Sequence, residues 1–595
     1  MGEGGGRSFG TTRELQRLKQ QAMEYYREND VPHRLEELLN STFYLQPADV
    51  YGHLANCFSK LAKPPTICRV VGKSVLDGLG LPTLQVEIFC TIQNFPKSIC
   101  SVVISTHFEV LENVLPELAD AEQEARSEAV RIAVQWVNET ITEELQGLTP
   151  SDQAEVDQVL RTFFGNKAQE DKERRELEKS LEDTRVSIPS PAPPPPPPPP
   201  PAKKRGQKQG RNDTFTEKPI VPPEPVEPIL NGSMAIGAVS LAVAKTRAIL
   251  DNNPLYLNIA LLKQSGQEQP TKLTLPLPMV SLVSCGKSSP GKLNLMKEVM
   301  CIPHPGLTAK QGVEMLLEIQ KHINKTIEMP PPPKTETKKG HNGSKRSQQP
   351  ITGKMSHLGC LTINYDTIEQ PLVLIQGICA NLGLDLGTNL HLAINCAAHE
   401  LMDYSRGKYE VMLGTYKNAA EMVDLYVDLI NRCYILAGAA SKSISKLLEG
   451  GDISTPKSSG LIIRHTNQTT ISDLVEITSL LDSKQRVAVF GSAEGESSDD
   501  SLVDLAIGLG VRFIKLGGLS RGERITKYNR LFTIEEELLQ SGTLGFNEEH
   551  IFFPLNDDTE KGTEAPEAVA TVAGEPAELP EPIFPTELME ASAKA

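Results

Sequence analysis

Residues 461–516 read LIIRHTNQTTISDLVEITSLLDSKQRVAVFGSAEGESSDDSLVDLAIGLGVRFIKL, and this stretch decides the fold class. Short apolar runs alternate in it with segments of helical periodicity. The apolar runs are Leu461–His465, Arg486–Gly491 and Val511–Leu516, and the helical segments are Ser472–Leu481 and Leu502–Leu509. Strands that alternate with helices in this way are typical of parallel β/α units. We therefore expect an α/β fold with a barrel, whose functional residues lie at the carboxyl ends of the strands.

The alternation of predicted strands and helices extends towards the N-terminus as far as about residue 275, and upstream of it the pattern is different. Further strands are predicted at Leu275–Val283, Leu390–Asn395 and Cys433–Gly438, with a helix at Ala419–Arg432. Before these, the pattern predicts two neighbouring strands at Ile67–Val75 and Leu84–Thr91, and helices at Glu112–Gln146, Ser151–Phe164 and Met234–Leu250. The region upstream of residue 270 is therefore expected to differ from the barrel.

The composition excludes several classes of protein. The chain has 595 residues and a net charge of −16, which argues against a protein that coats nucleic acid or binds membranes through basic residues. Its ten cysteines form no CxxC pair, so neither a zinc site nor a secreted disulfide framework is expected. We find no signal peptide and no run of 18 apolar residues. These features predict a reduced, soluble, cytoplasmic protein without nucleic-acid or membrane partners.

Three segments have compositions that predict disorder. Residues 166–228 pass from charged sequence into nine consecutive prolines, and residues 329–352 form a shorter segment of similar, proline-containing and charged composition. Residues 556–595 form an acidic tail. Polyproline is a ligand for SH3, WW and profilin-type grooves. An inserted, solvated loop without a partner is an equally open interpretation.

Residues 11–66 predict a small helical module, which we call the helical module throughout. Leucines at 35, 38 and 39 and apolar residues at 50, 54, 58 and 61 mark two amphipathic helices, with Pro47 in the first turn of the second. The pattern resembles dimerisation/docking modules of the kinase regulatory-subunit and Dpy-30 type. That resemblance implies a homodimer whose groove accepts a partner's amphipathic helix. A helical hairpin packed on the neighbouring domain is the alternative.

A run of motifs carries a second resemblance. The segments are DGLGLPTLQV (77–86), AVSLAVAK (238–245), PLY (254–256), LPLP (275–278), MKEVM (296–300), KYN (527–529) and IEEEL (534–538). In this order they resemble the motifs of the enolase family, and most closely a divergent, sperm-associated branch of it. The resemblance implies an enolase-type N-terminal α+β domain over 67–165 and 229–270, and a TIM-type β/α barrel over 271–545.

The same resemblance implies a reaction and its site residues. Enolases are phosphopyruvate hydratases, which convert 2-phosphoglycerate to phosphoenolpyruvate in glycolysis with a lysine base and two Mg²⁺ ions. Glu298 matches an assisting, substrate-binding glutamate, and Lys515 matches a substrate-binding lysine. Arg464 stands at the position of the lysine base, although arginine keeps its proton at physiological pH. Asn395 stands at one aspartate ligand of Mg²⁺, so no intact metal site is expected.

One whole unit of the family pattern is missing from the sequence. Enolases carry a strand reading SIEDPF and a following helix, whereas here the helix ending at Arg432 runs directly into the strand beginning at Cys433. Connections from a helix to a strand usually take about 2–6 residues. We therefore predict an incomplete barrel that lacks one β/α unit.

The sequence leaves two functions open. One is an enolase with altered base and metal ligands. The other is a non-catalytic dimeric scaffold that positions glycolytic enzymes in the sperm tail, as a homodimer or together with other enolase subunits. The resemblance also implies a location in the sperm flagellum.

Overall fold

The structure is a computed structural model. It describes residues 12–106, 108, 116–186, 229–264, 272–285, 295–328, 353–363, 365, 367, 369–403, 406–412, 414–430, 434–436, 448, 460–465 and 467–546. The acidic tail, residues 187–228 and residues 329–352, for which disorder is predicted, lie outside the described residues. None of the described helices is both long and apolar enough to cross a membrane.

The helical module contains three helices where the sequence predicts two. They are α1 (Thr12–Glu28), α2 (Val31–Leu45) and α3 (Val50–Leu61). The placement of Pro47 in the first turn of a helix is wrong, because α3 begins at Val50. Asp49 caps that helix, its carboxylate accepting the Gly52 N–H at 2.8 Å. Pro32 instead lies in the first turn of α2.

The N-terminal α+β domain joins an antiparallel sheet to helices. The sheet has the order β1 (Thr66–Leu76), β2 (Pro82–Ile92) and β3 (Phe95–Val103). The helices are α4 (Pro116–Trp136), a π-helical turn (Val137–Ile141), α5 (Thr142–Leu145), α6 (Gln153–Val186), α7 (Met234–Leu250) and α8 (Leu255–Lys263). The two predicted strands are confirmed, and the third, β3, was not predicted. Helix α7 is buried along most of its length and packs on β2 and β3.

Helix α6 corrects the predicted boundary of the first insertion. Disorder is predicted from residue 166, but the helix continues to Val186. Its outer part is rich in Glu, Lys and Arg, and ion pairs about one turn apart join Lys167 to Glu170 and Asp171 to Arg175. Such pairs, together with good helix formers, stabilise the solvated outer part of the helix.

The barrel domain is built on one nine-stranded sheet. Seven strands follow the order β13 (Tyr434–Leu436), β9 (Leu390–Asn395), β6 (Glu298–Pro303), β5 (Leu277–Ser284), β16 (Phe513–Gly517), β15 (Val487–Gly491) and β14 (Gly460–Ile463). The other two are β7 (Gly353–Met355) and β8 (Leu361–Ile363), of which β8 pairs with β5. The helices are α9 (Ala309–Glu328), α10 (Glu369–Asn381), α11 (Ala419–Ile430), α12 (Ile471–Ser483), α13 (Ser501–Gly508) and α14 (Gly522–Ser541).

Small strands complete the domain. They are β10 (Met402–Asp403), β11 (Lys408–Met412) and β12 (Thr415–Lys417), which form an antiparallel sheet, and β4 (Leu273–Thr274), which pairs with β17 (Leu544–Gly545).

Two features of the large sheet position the site. Strand β6, which was not predicted from the sequence, runs antiparallel to both of its neighbours, β5 and β9, whereas β5, β14, β15 and β16 pair in parallel as the pattern predicts. Its first residue therefore lies at the same end of the barrel as the carboxyl ends of the parallel strands. In addition, β13 and β14 do not pair with each other in the part of the chain that the structure describes, so the sheet is open between them.

Candidate active site

Three of the four site residues predicted from the sequence meet in one buried cluster. Glu298 begins β6, Asn395 ends β9 and Lys515 lies in β16. The Lys515 ammonium and the Asn395 amide both donate to Oε1 of Glu298 at 2.8 Å. The Ser281 hydroxyl, from β5, donates to the other carboxylate oxygen at 2.7 Å. We call these four residues the Glu298 cluster; Ser281 was not predicted, because no motif marks it.

The cluster holds Glu298 as a carboxylate. Burial would raise its pKa, but the charge and hydrogen bond of Lys515, with the hydrogen bonds of Asn395 and Ser281, outweigh that effect. The result is a pKa of about 2, against an ordinary value of 4.5. The side chains of Glu298 and Lys515 are only 2% and 8% exposed. The carboxylate is therefore charged and sealed from water by protein groups that already use both of its oxygens.

Arg464 lies at the same end of the barrel but outside the cluster. It follows β14 directly and is exposed. A Cβ atom on Gly491 would be 3.7 Å from Cγ of Arg464, so the arginine side chain passes the end of β15. Gly491 pairs with Lys515 on the next strand. Among the described residues, Arg464 forms no hydrogen bond to the Glu298 cluster.

The neighbouring histidine has no access to this site. His465 is buried, 7% exposed, and burial lowers its pKa to about 4. Its Nε2 atom has no hydrogen-bond partner within the described part of the chain. His465 is therefore neutral at physiological pH and belongs to the core.

The residues of the cluster do not fit Mg²⁺, the cofactor that the family resemblance implies. Oδ1 of Asn395 accepts the Ala397 N–H at 3.2 Å, while its amide nitrogen faces Glu298. A cation at Glu298 would have to displace the Lys515 ammonium. Mg²⁺ prefers hard oxygen ligands, usually carboxylates, in octahedral geometry. Among the His, Cys, Asp and Glu side chains of the described ranges, no three lie together as metal ligands.

A second ion-paired group lies near the cluster and was not predicted. The Lys297 ammonium is 3.1 Å from Oε1 of Glu494, and Nε2 of His357 is 3.6 Å from Oε2. We call Lys297, His357 and Glu494 the rim triad, because their side chains are 24%, 11% and 18% exposed. Their separation along the chain hides them from any local pattern.

A buried arginine fixes the loop that carries Glu494. The side chain of Arg524, in α14, is fully buried. It donates to the Glu494 carbonyl at 3.0 Å, the Ser492 hydroxyl at 3.0 Å and the Leu516 carbonyl at 2.9 Å. This buried side chain therefore fixes the backbone around Ser492 and Glu494.

Comparison with known proteins identifies the family. A family model described as the enolase N-terminal domain matches residues 67–171, and one described as the enolase C-terminal TIM barrel domain matches residues 444–550. Enolase 4 of Homo sapiens is 75% identical, covering 100% of this chain and 99% of the relative. Enolase 4 of Mus musculus is 67% identical with the same coverage, and enolase 4 of Danio rerio is 38% identical over 92% of this chain and 95% of the relative.

The human relative also carries residues that this chain lacks. Its alignment runs over 622 positions, about 27 more than the 595 residues here. The similarity over the whole length confirms the resemblance of the motifs and the barrel fold. The chain belongs to the enolase family.

Proposed function

We propose that this chain is a catalytically impaired member of the enolase family, and that it does not convert 2-phosphoglycerate to phosphoenolpyruvate at the rate of an ordinary enolase. The observation that carries the proposal is the closed Glu298 cluster. Its carboxylate is engaged by Lys515, Asn395 and Ser281, so neither Glu298 nor Lys515 presents a free group to a substrate.

The position of the base supports the same proposal. Enolase chemistry requires removal of a proton from carbon 2, and the guanidinium of Arg464 keeps its own proton at physiological pH. Loss of a general base alone typically costs about 10²–10⁴-fold in rate. Asn395 supplies an amide already bonded on both sides where the family uses an aspartate. The negative charge that develops on the substrate carboxylate would therefore be stabilised only weakly.

A coupled assay of 2-phosphoglycerate dehydration tests this proposal on the full chain. The wild type, Arg464→Lys, Asn395→Asp and the double variant are compared with an ordinary enolase at saturating Mg²⁺. We expect the wild type and Arg464→Lys to be inactive, because restoring the base leaves the metal ligands altered. Wild-type turnover within about a hundredfold of the ordinary enolase, or rescue by Arg464→Lys alone, would contradict the proposal. Calorimetric titration of the wild type with Mg²⁺ gives an independent readout, in which tight binding would also contradict it.

A scaffold function is the second candidate, and the helical module favours it. Leu35, Leu39 and Phe43 follow one another at a spacing of four residues along α2, and they are 40%, 57% and 71% exposed. Phe58 and Leu61 on α3 are 45% and 51% exposed. Such a stripe is typical of a helix that packs against a partner. We propose that the module forms a homodimer, or associates with other enolase subunits, and docks a partner's amphipathic helix.

The scaffold would hold glycolytic enzymes in the sperm flagellum, with the polyproline segment as a ligand for SH3, WW or profilin-type proteins. Sedimentation velocity of the full chain tests its central step. We expect a wild-type dimer that Leu39→Glu and Phe43→Glu convert to a monomer. Val373→Glu is a matched control, because Val373 is 61% exposed on α10, outside the module. A monomeric wild type, or equal effects of all three variants, would contradict the scaffold proposal.

A further inference from the structure

Helix α3 of the helical module carries a histidine and a cysteine one turn apart, which we call the His53–Cys57 pair. Nε2 of His53 lies 3.6 Å from Sγ of Cys57, and the thiol forms no disulfide. Both residues are half-buried, and neither belongs to the candidate active site. Ligands at positions i and i+4 lie on the same face of a helix, as the two histidines of HExxH zinc sites do. The pair therefore has the spacing of two metal ligands.

The distance between the two atoms agrees with zinc coordination. A tetrahedral zinc ion lies about 2.3 Å from a cysteine sulfur and about 2.0–2.1 Å from a histidine nitrogen. At the tetrahedral angle, two such ligands are about 3.6 Å apart. Sγ of Cys57 and Nε2 of His53 have this separation. Without an ion, the two groups are within hydrogen-bonding distance of each other, and a zinc ion would take the place of the shared proton.

One chain supplies only half of such a site, since a structural zinc ion has four ligands. No three His, Cys, Asp or Glu side chains lie together as metal ligands in the part of the chain that the structure describes. The pair lies, however, on a face of α3 that also carries Val50 and Leu61, at successive spacings of three, four and four residues. Val50 and Leu61 are 43% and 51% exposed. A second copy packed on this face about a twofold axis would bring its own pair beside the first.

We propose that His53 and Cys57 form half of a zinc site, and that the same two residues of a second copy of this chain complete it. The inference rests on the homodimer of the proposed scaffold function and adds a metal ion to its interface. The two sulfurs bind as thiolates and the two imidazoles as neutral rings, so each thiol releases its proton to solvent when zinc binds. A site of this kind needs no CxxC pair, because its two cysteines belong to different chains.

Metal titration of the full chain tests the inference. The reduced protein is freed of metal with a chelator and titrated with Zn²⁺, and separately with Co²⁺, whose visible absorption reports tetrahedral thiolate coordination. We expect one ion per two chains. Cys57→Ser and His53→Gln each remove two of the four ligands and should weaken binding at least about a hundredfold, since even outer-shell substitutions typically cost about 10–100-fold. Cys68→Ser is the matched control, because Cys68 is also half-buried and free, and its thiol donates to the Phe89 carbonyl.

Three outcomes would overturn the inference. They are a wild type that binds no zinc, a ratio of one ion per chain, and binding that either persists in both variants or weakens equally in Cys68→Ser. Sedimentation velocity with Zn²⁺ and with the chelator is run in parallel, and zinc should tighten the dimer of the wild type but not that of Cys57→Ser. A dimer that binds no zinc contradicts this inference alone, whereas a monomer under both conditions contradicts the scaffold proposal as well.

Discussion

Replacement of Lys515 by methionine is the sharpest probe of the Glu298 cluster. The change removes the ammonium that lies 2.8 Å from Oε1 of Glu298 but keeps a flexible, unbranched side chain of similar length. Both members of the pair are almost fully buried. Lys515→Met therefore leaves a carboxylate in the core without its cation.

The pKa of Glu298 gives the magnitude. The fall from 4.5 to about 2 corresponds to about 3 kcal/mol of stabilisation at neutral pH. Because the pKa is lowered on folding, this stabilisation is complete above pH 4.5 and is lost as the pH falls from 4.5 to about 2. Removing one partner of a buried pair typically costs about 3–5 kcal/mol. We expect Lys515→Met to lose that much in unfolding free energy at pH 7.

Chemical unfolding at a series of pH values, followed by far-ultraviolet circular dichroism, measures the effect. In Lys515→Met, burial without the cation raises the pKa of Glu298, so the loss of stability between pH 4.5 and 2 should disappear. The double variant Glu298→Gln/Lys515→Met should recover much of the stability at pH 7, because neither charge is then buried alone. Lys73→Met is the control, since the Lys73–Glu87 pair is exposed and should contribute less than about 1 kcal/mol. A loss below that value in Lys515→Met, or no recovery in the double variant, would refute the reasoning.

Two further perturbations test the barrel around the site. Burial lowers the pKa of His465 from 6.5 to about 4, so the unfolded state binds a proton before the folded state does, and about 3 kcal/mol of stability should be lost as the pH falls from 6.5 to 4. In His465→Gln the unfolding free energy should depend less on pH over that interval. An unchanged pH dependence in this variant would count against a buried, neutral histidine. Gly517 has a φ of 89°, and a Cβ atom there would lie 2.7 Å from Nη1 of Arg524. Gly542 has a φ of 69°, but a Cβ atom there would meet no atom within 4 Å. Gly517→Ala should therefore lower the thermal midpoint clearly more than Gly542→Ala. Equal shifts in the two glycine variants would show that the contact with Arg524 is unimportant.

Local patterns predicted about half of the regular elements that the structure describes. The predicted helix Met234–Leu250 and the predicted strand Leu390–Asn395 have the observed bounds. Residues that define such elements lie within a few positions of one another, so periodicity and end signals record them directly. The family motifs, which are also contiguous, identified Glu298, Asn395, Lys515 and Arg464 as the residues to examine.

Tertiary structure alone decided how those residues are arranged. Glu298 meets Lys515 across 217 residues because β6 runs antiparallel to its neighbours, and no pattern within either segment states that direction. The rim triad escaped prediction for the same reason: Lys297 and Glu494 are 197 residues apart. Whether a charged side chain is a free functional group or half of a closed pair depends on which distant strand lies beside it, and chain packing sets that neighbour.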